Sequence, residues 1–141
     1  MDKIKFIVVH CSDTSPAMNV TTDDLRQWHV VERGWNDIGY HWFIKRDGTV
    51  YDCRPESVTG AHCPVINDCS IGICLEGGQF GSNDYTDVQL AGLSGLVYEL
   101  KGRYNNAAVT GHNQFTSSKT CPNFNVVDWW EKVLTDNGKV V

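Results

Sequence analysis

The chain has 141 residues, 41% of them hydrophobic and 21% charged, with a formal net charge of −5. That length fits one domain with its own core, and the composition is ordinary for a globular protein. The acidic balance, unbroken by any Lys/Arg run, argues against a nucleic-acid partner. The apolar run after Lys5 is too short for a signal peptide or a membrane span, so synthesis in the cytoplasm is expected.

The elements follow in chain order. "KIKFIVVH" is rich in β-branched and aromatic residues and reads as a buried strand ending at His10. "TTDDLRQWHVVERG" opens on cap-type residues, sets Leu25, Trp28, His29 and Glu32 on one helical stripe, and stops at Gly34. "YHWFIKRDGTVYDCR" reads as a hairpin turning at Asp47-Gly48. "CSIGICLEGG" is a second buried strand. "TDVQLAGLSGLVYELKGRY" starts with a capping box, Thr86 with Gln89, and repeats Leu90, Leu93, Val97, Leu100 and Tyr104 at helical spacing. "AAVTGH" is a short strand, and "NVVDWWEKVL" a C-terminal helix capped by Asn125. Strands alternate with helices while the hairpin forces an antiparallel pair. The expected fold is α/β: a single domain over residues 1–141, with a central mixed sheet flanked by helices.

Six cysteines are present: Cys11, Cys53, Cys63, Cys69, Cys74 and Cys121. Without a secretion signal they are expected as free thiols, one of them serving a metal. Cys63 and Cys69 are close enough in sequence to pair in an oxidising medium.

A catalytic zinc takes three protein ligands and leaves one position for water. His10 and His112 each close a strand, where a rigid scaffold meets open loops. Cys121 follows His112 across the loop 113–120. Two histidines and a cysteine make a zinc set, although these spacings form no short zinc signature. Each residue alone has a plainer reading: a hydrogen-bonded strand-end histidine, or a small buried thiol. Lys119 and Cys121 share a face in an extended segment. Beside a zinc-bound thiolate the ammonium would stabilise charge developing on a substrate oxygen. The plainer reading of Lys119 is a solvated surface cation.

Five ordered blocks carry a resemblance: "VVHCSDT", "GWNDIGYHWFIKRDGTVYDCR", "GAHCPVINDCSIGICLEGG", "TGHNQF" and "KTCPNF". Together they resemble the zinc-dependent N-acetylmuramoyl-L-alanine amidases of the phage lysozyme type, which share a domain with peptidoglycan recognition proteins. The resemblance spans about residues 4–130. It implies zinc on His10, His112 and Cys121, with Tyr40 and Lys119 completing the catalytic set. It implies a peptidoglycan or muropeptide substrate, cut between the lactyl group of N-acetylmuramic acid and L-alanine, and a groove bordered by His62 and Asn67. A monomer is expected, acting on the cell wall after release if it is a phage endolysin. Relatives often carry a glycine-containing turn where this chain has "CPVI" between His62 and Asn67.

Within that reading Tyr40 and Lys119 would hydrogen-bond the oxyanion and manage protons. Glu76, near a strand end, is an alternative base, and His41 and His29 read as structural. Glycan cleavage needs two carboxylates flanking an acetal, and Asp13 and Glu76 are isolated in the sequence. The alternative function is a non-catalytic peptidoglycan-binding module, which lacks the cysteine ligand. A purely structural zinc site would need a fourth ligand, for which His62 is the attractive residue.

Overall fold

The computed structural model of the chain describes residues 3–139. Its centre is a five-stranded sheet. The strands are β1 (Phe6–Cys11), β2 (Trp42–Ile44), β3 (Val50–Asp52), β4 (Ser70–Leu75) and β5 (Ala108–Gly111), in the order β3-β2-β4-β1-β5. β1 runs parallel to β4 and β5, and β2 runs parallel to β4. Only the β2–β3 pair is antiparallel, so the sheet is mixed, as the alternation and the hairpin require.

Side chains alternate across the central strands. Ile7, Val9, Ile71, Ile73 and Leu75 face one side and pack on Leu93, Val97 and Leu100 of α2 (Asp87–Arg103) and on Val126 and Trp130 of α3 (Val126–Lys139). The other side receives Phe43 and Cys74, covered by Leu25 of α1 (Thr22–Arg26). His10 belongs to this second side. Burial on both faces explains why β1 and β4 read as continuous apolar runs. Among the described residues, no helix is long and apolar enough to cross a membrane.

The expected caps are present. Thr86 and Gln89 form the capping box of α2, and Asn125 Oδ1 accepts the Asp128 N–H at 3.0 Å at the start of α3. Three details differ from the sequence reading. The hairpin does not turn on a two-residue Asp47-Gly48 loop. Lys45 N–H donates to Thr49 O and Gly48 N–H to Lys45 O, with Gly48 at φ +88°, which is a longer loop closed by a left-handed glycine. The C-terminal helix runs on past Leu134. The first helix changes character: α1 continues as a π-helical turn over Gln27–Glu32. Its Leu25, Trp28, His29 and Glu32 stripe lines a cleft as well as packing on the core.

Candidate metal centre and active-site cleft

The cleft holds about 970 Å³ and opens where β1 and β5 end. In sheets with parallel strands the carboxyl ends are the usual place for a ligand, because strands stop there and loops diverge. His10 sits one residue before the end of β1, and His112 directly follows β5. Their rings lie 4.5 Å apart, centre to centre.

Cys121 reaches the same point by a stapled loop. Asn113 N–H donates to Cys121 O at 2.9 Å, and Asn113 Nδ2 donates to Thr120 O and Phe124 O. These bonds close the base of the loop and set Cys121 beside His112. The backbone N–H of Cys11 then donates to Cys121 Sγ at 2.9 Å. One ligand atom from each of His10, His112 and Cys121 lies within 4.8 Å of the other two. Tetrahedral zinc at normal bond lengths would need about 3.3–3.6 Å between donors, so a small contraction would seat an ion.

The protonation of the donors suits that role. Burial, then the neighbouring His62 and His112, holds His10 well below its ordinary 6.5, so its ring is neutral. Burial and then Lys119 lower His112. Hydrogen bonding between the Cys11 and Cys121 thiols lowers Cys11 to about 7 and pushes Cys121 up. The two share one easily lost proton, and a cation beside Cys121 would draw the charge onto its sulfur.

Tyr40 packs its ring 5.3 Å from that of His10. Burial, and then the thiols of Cys74, Cys121 and Cys11, raise it well above 10, so it keeps its proton. Lys119 is exposed and lines the cleft. His62 is buried against His10, with His62 Nδ1 2.9 Å from His10 Nε2. Asn67 also lines the cleft, and its Oδ1 accepts the N–H groups of His62 and Cys63. In the "CPVI" segment Cys63 and Ile66 pack on Val8, Pro64 faces the cleft, and Val65 is exposed.

Glu76 is not in this cleft. Its carboxylate is buried and accepts the N–H groups of Val20 and Arg46, with Lys45 Nζ at 3.5 Å. It pins a loop to the hairpin and cannot serve as base. His41 spans Val58 O and the Gly72 N–H with its two ring nitrogens. His29 accepts the Gly39 N–H. All six cysteines are free, Cys63 and Cys69 included. The sequence reading did not foresee that Asp13, Trp28, Trp35 and Phe80 would line the cleft. No local spacing signals them, since separate loops bring them together.

Known proteins share this fold. The family profile described as N-acetylmuramoyl-L-alanine amidase matches residues 1–124. The chain is 43% identical over 140 residues to an endolysin of Escherichia phage T7, covering 94% of this chain and 91% of that protein. The N-acetylmuramoyl-L-alanine amidase LysC from Clostridium intestinale superposes with a TM-score of 0.83 at 31% identity, over 95% of this chain and 87% of that one. A Drosophila PGRP-LB variant in complex with tracheal cytotoxin superposes at 0.75 and 27% identity, over 91% and 80% of the two chains. With a family profile and a full-length relative both covering its sheet and its cleft, the chain belongs to the N-acetylmuramoyl-L-alanine amidases.

Proposed function

We propose that this amidase binds one zinc ion through His10, His112 and Cys121 and hydrolyses the amide between N-acetylmuramic acid and L-alanine of peptidoglycan stem peptides. The observation that carries the proposal is the convergence of those three donors, within 4.8 Å, in the cleft that Tyr40 and Lys119 also line. The names of its relatives, phage endolysins and peptidoglycan recognition proteins, support a cell-wall substrate. The endolysin names also support action on the wall after release, and we take the acting species to be a monomer.

Amide hydrolysis needs a polarised carbonyl, an activated water and a proton for the leaving nitrogen. Zinc, when bound, supplies Lewis acidity to the carbonyl and lowers the pKa of water to about 7. The proton lost by the attacking water passes to the leaving nitrogen, and the chain's own groups stabilise the charge that develops on the way. Tyr40, held protonated beside His10, donates a hydrogen bond to the carbonyl oxygen as negative charge builds on it. The exposed Lys119 ammonium approaches from the loop side and adds positive charge. Asn67 and the ring edge of His62 border the substrate groove. A binding module without turnover is disfavoured by the complete donor set, which retains Cys121.

Mass spectrometry of purified cell walls after digestion tests the reading. Intact stem peptides with a free L-alanine amine are expected. Fragments cut within the stem, or within the glycan, would reject it.

A further inference from the structure

His10 has two ring nitrogens, and only one can hold a metal. His10 Nε2 lies 2.9 Å from His62 Nδ1. On the far side of His62, Nε2 lies 3.1 Å from Ser70 Oγ. Ser70 Oγ also lies 2.7 Å from Ile66 O.

The carbonyl at the end of this chain fixes every proton. Ile66 O can only accept, so the Ser70 hydroxyl donates to it. Ser70 Oγ then accepts, so His62 Nε2 carries a hydrogen. His62 is buried and makes no bond to a carboxylate among the described residues, which leaves its ring neutral. A neutral ring protonated at Nε2 bears its lone pair on Nδ1. That lone pair must accept from His10 Nε2–H. The lone pair of His10 therefore sits on Nδ1.

The position of the His62 ring is tightly fixed. A Cβ on Gly72 would stand 2.6 Å from His62 Cγ, so only glycine at this point of β4 lets the ring lie flat on the strand. Asn67 holds the His62 backbone from the other end. The ring has no nitrogen left for substrate.

We propose that His62 and Ser70 are positioning residues that lock His10 in the Nε2–H tautomer, so that its Nδ1 faces the metal. A ligating histidine normally spends its second N–H on a carboxylate, carbonyl or water. Here the N–H goes to a second histidine, and the chain ends on a backbone carbonyl inside the fold. The proposal rests on His10 being a zinc ligand.

The test is nitrogen-15 NMR of the histidine rings in the zinc-loaded protein, joined to zinc affinities from competition with a chromophoric chelator. His10 is expected to show a protonated Nε2 and a metal-shifted Nδ1. H62L should weaken zinc binding about 10- to 100-fold. H62N, whose Oδ1 takes the place of the lost Nδ1 acceptor, should recover most of that loss. Zinc on His10 Nε2 in the wild-type protein would overturn the proposal and leave the zinc site standing. H62L binding zinc as tightly as wild type, or H62N no better than H62L, would also overturn it. Absence of zinc binding by the wild-type protein would remove the zinc reading itself. Should H62L fail to fold, the wild-type spectrum still decides.

Discussion

The Cys11 N–H reaches Cys121 Sγ at 2.9 Å across 110 positions of sequence. Strand β1 thus serves the site through two adjacent residues: the His10 imidazole as ligand and the Cys11 amide as hydrogen-bond donor to another ligand. Because that donor is backbone, C11A keeps it. Elemental analysis should find about one zinc per chain in the wild type and in C11A, and little in C121A. Full zinc retention in C121A would contradict the ligand assignment.

Tyr40 and Lys119 line the cleft without belonging to the donor set. Y40F and K119A should therefore keep zinc and fold. Each removes one contact made chiefly in the transition state, for which a loss of about 10²–10³ in kcat is expected. Near-wild-type turnover in both variants would take them out of the mechanism.

Glu76 holds two backbone N–H groups inside the fold. E76Q keeps one acceptor oxygen and places an amide where the second stood. We expect a cost of about 1–3 kcal/mol in stability, read by denaturant melts, with kcat preserved at a temperature where the variant is folded. A fall in kcat comparable to that of K119A would return Glu76 to the chemistry.

Much of the architecture was legible because its causes are local. The capping box at Thr86, the Asn125 cap and the two-sided burial of β1 and β4 are written in neighbouring residues. So were His10 and His112, each at a strand end. The π-helical turn over Gln27–Glu32 was not legible. A stripe at i, i+3, i+4 and i+7 looks the same whether it faces core or cleft, and here it does both. Nor was the role of Asn113, whose three bonds to the loop's far end depend on a fold that sequence spacing does not reveal. Glu76 misled for the same reason. A glutamate before two glycines gives no hint of the amides of Val20 and Arg46 that surround it.

Buried neutral histidines give the fold a pH dependence whose sign is fixed. Burial, followed by Arg33 and Arg54, lowers His29 to about 4 from its ordinary 6.5, and burial lowers His41 as well. Below 6.5 the unfolded chain takes up protons that the folded chain refuses. Stability is therefore full above that value and falls as pH drops towards about 4. Thermal melts of chelator-treated protein should show Tm falling through this window, with a shallower slope in H29Q. A flat Tm between these pH values would contradict the assignment.

The central claim is zinc-dependent cleavage of an amide, and parallel assays on purified peptidoglycan test it most directly. Free amino groups should rise with time while reducing ends stay flat. A chelator should stop the rise, and added zinc should restore it in the wild type but not in C121A. New reducing ends that survive chelation would mean glycan cleavage without the metal, and would contradict the account.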